Sequence, residues 1–255
     1  MPAWHDRPMR RLLAPAIVLA LATACAPAPV RNPMATWVPS KNFDQRGAVL
    51  IVLHATEQGS VQKSLDTLRG DNGRGPVSAH YLIGRDGHIY QLVAESARAW
   101  HAGGGSWGTI TDLNDASIGI ELDNDGHADY TDVQFDALVR LLADVCARRH
   151  IPRSQVIGHA DLAPTRKTDP GAQFPWQRLH AAGFGRWPED APADPPPGFD
   201  PWIAMAAIGY PLKDRVAAVR AFHRHFRGRD DGDSPDAAFD DDDLRILYAL
   251  ARPKN

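Results

Sequence analysis

The sequence predicts an α/β fold, in which a mixed central β-sheet is flanked by helices and followed by a small C-terminal three-helix domain. Short apolar runs of strand length alternate with stretches whose apolar residues recur at helical spacing, a pattern typical of a sheet covered by helices. A Pro-rich segment, 188–200, then precedes a last stretch, 201–255, with helical periodicity. The chain has 255 residues, 44% of them hydrophobic, which is enough for one medium domain and a small one.

The first strand is predicted at residues 48–53, where six apolar residues follow one another and lead directly to His54. A run of this length indicates a buried strand, and a polar group at the end of such a strand opens onto a cleft. Residues 57–69 then carry apolar side chains at helical spacing, which predicts the first helix.

A hairpin and two further strands are predicted next. Two short apolar runs, 80–83 and 88–93, are joined by Asp86-Gly87, a pair that favours a tight turn. Residues 117–122 and 155–158 are two more short apolar runs. Together with the first strand they predict the central sheet.

Helices are predicted where apolar residues recur at helical rather than strand spacing. Residues 135–149 repeat leucine and valine at helical intervals, and Pro152 lies just beyond their end. In the C-terminal stretch the same reasoning predicts three short helices, at residues 202–208, 213–226 and 243–250. The Pro-rich segment 188–200 before them reads as a stiff linker or a surface strap.

The N-terminus has the features of an export signal. Three arginines precede an apolar run, 12–24, which is too short to span a bilayer but fits a signal-peptide core. The sequence Ala22-Thr23-Ala24-Cys25 resembles a lipobox, which implies lipidation at Cys25, and Ala26 after it favours the outer membrane. An ordinary secretory signal is the alternative. We therefore expect a signal segment at 1–25, a Pro- and Ala-rich tether at 26–40 and a periplasmic lipoprotein.

Charge and cysteine content bear on two further questions, namely nucleic-acid binding and disulfide bonding. The formal net charge of −3 and the absence of basic patches give no reason to expect nucleic acid as a partner. Besides Cys25 there is one cysteine, Cys146, in a helical pattern, so that lipidation at Cys25 would leave no intramolecular disulfide.

Residues 156–171 carry the strongest chemical signal. His159 and Asp169 lie ten positions apart in a loop with two prolines, and they could both bind a metal ion. Catalytic zinc often takes two histidines and one carboxylate, with the fourth position left for water. His54, at the end of the predicted strand, is the best second histidine. Spacing alone favours ordinary polar or core histidines over metal ligands.

Five ordered segments span about half of the chain, and they are Val52-Leu53-His54-Ala55-Thr56, Val77-Ser78-Ala79-His80-Tyr81-Leu82-Ile83, Ala99-Trp100-His101-Ala102-Gly103, Ser117-Ile118-Gly119-Ile120-Glu121-Leu122, and Gly158-His159-Ala160-Asp161 with Asp169-Pro170-Gly171. Together they resemble the zinc-dependent N-acetylmuramoyl-L-alanine amidases of type 2. The resemblance implies a zinc amidase domain at 41–187, with Zn²⁺ held by His54, His159 and Asp169. It also implies cleavage of the amide that joins muramic acid to the stem peptide of peptidoglycan or of muropeptides.

The resemblance further implies a role for two residues near the metal. Glu121 matches a catalytic carboxylate that moves a proton from water to the leaving amine, and its alternative is a solvated surface carboxylate. Lys167 matches a lysine that supplies positive charge to the oxyanion, and its alternative is an exposed lysine.

Three further polar residues could either take part in the site or only support the fold. His101 either touches substrate at the rim of the cleft or holds its own loop by a hydrogen bond, and we expect the former. Asn114 could contact sugar or peptide, and a turn role is equally open. His80 is expected to be a buried histidine with its hydrogen bonds satisfied rather than a ligand.

Two alternatives remain for the activity, and two for the C-terminal residues 201–255, which we call the tail. A peptidoglycan recognition protein shares the fold without cutting, but loss of a zinc ligand would signal it, and all three ligands are present here. A peptidase acting within the stem peptide is the second alternative. Residues 201–255 resemble a peptidoglycan-binding three-helix domain, through Ile208-Gly209-Tyr210 and Val219-Arg220-Ala221-Phe222. Otherwise they are a helical appendage that packs on the amidase domain.

Overall fold

The computed structural model describes residues 31–45, 47–70, 73, 75–188 and 192–252. The strands are β1 (Thr36–Trp37), β2 (Phe43–Gln45), β3 (Leu50–Ala55), β4 (Tyr81–Ile83), β5 (Ile89–Gln91), β6 (Ala97–Ala99), β7 (Ser117–Leu122) and β8 (Val156–Gly158). The helices are α1 (Val61–Arg69), α2 (Leu113–Ala116), α3 (Asp132–Arg149), α4 (His159–Leu162), α5 (Trp176–Ala181), α6 (Pro201–Ile208), α7 (Arg215–Phe226) and α8 (Asp241–Ala251).

Six strands form one sheet in the order β1-β5-β4-β7-β3-β8, and β2 pairs with β6 beside it. The pair β4–β5 is antiparallel and the other pairs of the large sheet are parallel, so the predicted mixed sheet is confirmed. Strand β3 lies between β7 and β8, and it begins and ends two residues later than the predicted 48–53. His54 is consequently within the strand, opposite Glu121 of β7, rather than just after it.

One face of the sheet is covered by α3 and by the segment around α5. Side chains alternate along a strand, so that Ile51 and Leu53 of β3 point to this face. They belong to one buried cluster with Leu138 and Leu142 of α3, two of the residues whose spacing predicted that helix. Cys146 of α3 is also buried there, as a free thiol.

The opposite face carries two separate apolar clusters. Near β3 and β8, Leu50 and Val52 pack in a cluster with residues of the C-terminal helices. Near β4, Leu82 packs in a second cluster with residues of α1 and β6. Strand β7 lies between β3 and β4, and on this face it presents Ser117, Gly119 and Glu121. Since these residues are small or polar, the two apolar clusters do not join across β7.

Part of the predicted tether belongs to the fold. Strand β1 pairs parallel with β5, and the Asn32 side chain donates to Asp144 Oδ2 at 2.7 Å. The Asn32 backbone N–H donates to Gln91 Oε1 at 2.9 Å. The expectation of a tether over 26–40 is therefore wrong for its second half, because a two-residue strand in Pro- and Ala-rich sequence has no periodicity to show it. The signal segment and Cys25 lie outside the described residues.

The three tail helices form where the sequence predicts them and pack onto the sheet. Met205 of α6, Phe222 of α7 and Leu247 of α8 share a buried cluster with Leu50 and Val52 of β3. This packing favours the appendage over a separately standing module. Within the described part of the chain, no helix combines the length and apolarity that crossing a membrane requires.

Candidate metal centre and catalytic cleft

The structure brings the three predicted metal ligands together. His54 Nδ1 and His159 Nδ1 are 2.9 Å apart, and each lies 3.1 Å from Asp169 Oδ2. The three side chains come from β3, from the first residue of α4 and from the loop after it, and all three are buried. His159 and Asp169 lie 105 and 115 positions after His54, and the fold brings the three ligand atoms to one point.

In each histidine the Nε2 atom has a partner of its own, and this contact orients the Nδ1 atom toward the ligand cluster. His159 Nε2 lies 2.9 Å from the Ala102 carbonyl oxygen, so Nε2 carries the proton and Nδ1 presents a lone pair when the ring is neutral. His54 Nε2 lies 3.0 Å from His101 Nδ1, on the side away from the ligand cluster. Second partners of this kind set the tautomer and direction of metal-binding histidines.

Charges at the site also favour a cation. Burial, with His159 nearby, lowers the pKa of His54 to about 4, which keeps its ring neutral. For Asp169, burial alone would raise the pKa, but the two neighbouring imidazoles hold the pKa of this carboxyl below its usual range. Two imidazole nitrogens and a carboxylate oxygen lie within 3.1 Å of one another, a spacing that suits three ligands of one cation. The residues present therefore fit a divalent metal ion.

Glu121 is the next functional group along the cleft. It is paired in register with His54 on the adjacent strand, and its Oε2 atom is buried without a hydrogen-bond partner among the described residues. Burial, reinforced by the charge of Asp169, raises the pKa of Glu121 to about 8, although Lys167 acts in the opposite direction. A carboxyl with its pKa in this range can both accept and donate a proton near neutral pH.

The ligands and Glu121 open onto a cleft of about 250 Å³. Lys167 lines it from the loop before Asp169, and its role toward the oxyanion stays a prediction. Some further lining residues lie in the motifs of the resemblance but had no role assigned to them, and they are Thr56, Val77, Ser78 and Trp100. Others had no sequence signal for function, and they are Glu57, Gln58, Ser64, Thr67 and Leu68. Glu57 is one of two non-glycine residues with positive φ among the described residues, but such backbone strain is not visible in a sequence.

His101 lies between the cleft and the metal ligand His54. It lines the cleft, and it lies within hydrogen-bond distance of His54. Its ring packs directly on Gly119 of β7, where a Cβ atom would come within 2.4 Å of the ring. The glycine in this strand is thus required by the close approach of the histidine. Substrate contact by His101 stays a prediction.

The other two polar residues have structural partners. Asn114 Oδ1 accepts hydrogen bonds from the backbone N–H groups of His101 at 3.0 Å and Ala102 at 2.8 Å. The structure therefore places Asn114 in the turn role and gives no support to the expected substrate contact. His80 is fully buried, with Nε2 on the Ala97 carbonyl oxygen and Nδ1 accepting from Gly119 N–H, as expected of a satisfied histidine.

Comparison with known proteins agrees with this geometry. The family profile described as N-acetylmuramoyl-L-alanine amidase, Amidase_2, matches residues 44–172. The N-acetylmuramoyl-L-alanine amidase AmiD of Escherichia coli K12 is 37% identical over 211 residues, which cover 70% of this chain and 74% of AmiD. The chain belongs to the N-acetylmuramoyl-L-alanine amidase family. The expected family and fold class are thus confirmed.

Two solved structures of relatives contain muropeptides. E. coli AmiD in complex with anhydro-N-acetylmuramic acid-L-Ala-D-γ-Glu-L-Lys superposes with a TM-score of 0.68 and 33% identity, covering 86% of this chain and 91% of AmiD. AmpDh3 of Pseudomonas aeruginosa with anhydromuramic pentapeptide gives a TM-score of 0.70 and 33% identity, covering 81% and 92%. These relatives, together with the complete ligand set, support an amide hydrolase over a recognition protein that does not cut.

Proposed function

We propose that this amidase uses Zn²⁺ to hydrolyse the amide between N-acetylmuramic acid and L-alanine in anhydromuropeptides or peptidoglycan. The observation that carries the proposal is the convergence of His54, His159 and Asp169 beside the buried carboxyl of Glu121. The two imidazoles and one carboxylate form the donor set that leaves a catalytic zinc with an open position. The muropeptides bound to two relatives indicate the substrate class.

Zinc, when bound, would act as a Lewis acid that polarises the scissile carbonyl. It would also lower the pKa of water, so that hydroxide is available as the nucleophile near neutral pH. The chain's own groups handle the proton and the developing charge. Glu121 accepts the proton of the attacking water and returns it to the departing amide nitrogen. Lys167, on the wall of the same cleft, places a positive charge where it stabilises the oxyanion. His101 and the Ala102 carbonyl hold the two imidazoles in place.

Product analysis tests the proposal directly. Purified sacculi and anhydromuropeptides are digested side by side, and the products are identified by mass spectrometry. We expect stem peptides that begin with L-alanine, together with the free lactyl carboxyl of the muramic acid, and we expect a chelator to abolish the reaction and Zn²⁺ to restore it. Fragments cut within the stem peptide would instead support the peptidase alternative. Material that binds unchanged would support a recognition protein.

We also propose that the amidase is exported and anchored to the outer membrane through a lipid on Cys25. The support is the basic start, the short apolar run and the lipobox-like Ala22-Thr23-Ala24-Cys25. Asn32 already lies on the sheet, and seven residues of about 3.5 Å each would keep the enzyme within about 25 Å of such an anchor. Cells fed a fatty-acid probe should label the wild-type protein, and the Cys25→Ser variant should carry no label. An unlabelled wild-type protein would contradict the anchor and leave ordinary secretion.

A further inference from the structure

The C-terminal helices reach the turn that carries the metal ligand His159. Tyr210, just after α6, donates its hydroxyl to Asp161 Oδ1 at 2.6 Å. His225 of α7 places Nδ1 at 2.7 Å from Asp161 Oδ2. Asp161, Tyr210 and His225 are all buried. Two side chains of the tail therefore end on one carboxylate of the amidase domain, two residues from a ligand.

Asp161 in turn fixes the backbone at the ligand. Its Oδ2 accepts a hydrogen bond at 2.7 Å from the backbone N–H of Gly158, the residue directly before His159. This bond closes the first turn of α4, whose N-cap glycine has no side chain to do so. Helix α4 has only four residues, so its geometry depends on such contacts rather than on its own length. A shift of the Asp161 carboxylate would therefore move the first residue of the helix, His159.

Both tail residues are themselves held by aromatic contacts. The Tyr210 ring packs edge-on against Trp107, with centroids 5.2 Å apart, and Gly209 with φ +130° allows this approach. A Cβ atom at Gly209 would come within 2.6 Å of the Trp107 ring. The His225 ring stacks on Trp176 of α5 at a centroid distance of 3.8 Å and an angle of 11°. The two donors are thus presented in fixed positions.

We propose that Tyr210 and His225 are positioning residues for the metal centre, and that the C-terminal helices act as a brace that holds His159 through Asp161. The proposal rests on the proposed metal function of His54, His159 and Asp169. It gives the tail a role inside the enzyme, whether or not the tail also contacts the cell wall. Loss of either donor leaves the carboxylate partly unpaired in a buried place, and the carboxylate then moves to find another partner.

Metal affinity and the absorption spectrum of the Co²⁺-substituted enzyme test the brace, because both report ligand geometry and neither requires turnover. In the full-length protein, Tyr210→Phe removes only the hydroxyl, and His225→Leu removes the Nδ1 donor. Each change is expected to weaken Zn²⁺ binding by about tenfold, the lower end of the range for partners that contact a metal ligand directly, because both residues act through Asp161, and to shift the Co²⁺ bands. His225→Asn can place its amide N–H close to the position of Nδ1, and it should restore affinity to within about threefold of wild type.

A matched control is Tyr248→Phe, which removes a hydroxyl from α8, where the ring packs on Phe199. We expect this variant to bind Zn²⁺ like the wild type. If Tyr210→Phe and His225→Leu lower the thermal midpoint but leave the Zn²⁺ dissociation constant and the Co²⁺ spectrum unchanged, the brace is wrong and the contacts are only structural. A wild-type protein that binds neither ion would instead overturn the proposed metal function.

Discussion

Replacing Asp169 by alanine is expected to remove both the metal and the activity. Asp169 supplies the single carboxylate of the ligand set, and its Oδ2 lies 3.1 Å from each imidazole nitrogen. Without it, only the two imidazoles remain as ligands, and the affinity for Zn²⁺ should fall by more than the roughly 10- to 100-fold that loss of an outer partner costs. A metal is worth several kcal/mol of transition-state stabilisation. Turnover on muropeptides should therefore drop by on the order of 10³-fold or more.

Metal content after dialysis, measured by mass spectrometry of the metal, and rates on anhydromuropeptide check this prediction on one preparation. Asp123→Ala is a suitable control, because Asp123 is a buried carboxylate that contacts Ser64 rather than the two imidazoles. Any loss caused merely by deleting a buried acid should appear in both variants. Wild-type metal content in Asp169→Ala would show that the ion is bound elsewhere.

The sheet and the ligand set could be predicted because their signals are local. Six consecutive apolar residues predict the strand that carries His54, and short motifs contain His159, Asp169 and Glu121. The sequence also predicts that Glu121 and His54 lie on strands of one sheet. That these strands are neighbours in register is a property of the strand order, which the sequence does not state.

The residues that sequence reasoning missed act over long separations. Tyr210 and His225 lie 49 and 64 positions from Asp161, and neither belongs to a motif around it. The tail helices were predicted from their period, but periodicity does not reveal which surface an apolar helix face covers. Strand β1 was missed because two residues are too few to show alternation. For Asn114 the sequence left two roles, and only the bonds to the His101 loop distinguish them.

Glu121→Gln is expected to keep the metal and lose most of the turnover. Glutamine has nearly the same size, so the cleft should keep its shape, but an amide cannot accept the proton of the attacking water. General acid–base catalysis contributes about 10²- to 10⁴-fold, and kcat/KM should fall within this range. Metal content should remain that of the wild type, since Glu121 is not among the three clustered ligands.

The pH dependence gives a second readout of the same variant. Burial raises the pKa of Glu121 to about 8, and a bound cation nearby would lower it from there. The base must be deprotonated to act, so wild-type kcat/KM should fall as the pH drops below this pKa, at or below about pH 8. This fall of kcat/KM at low pH, the acid limb of the profile, should disappear in Glu121→Gln. Glu57→Gln, at the rim of the same cleft, is the matched comparison. If that variant lost the limb while Glu121→Gln kept it, the proton would move through Glu57.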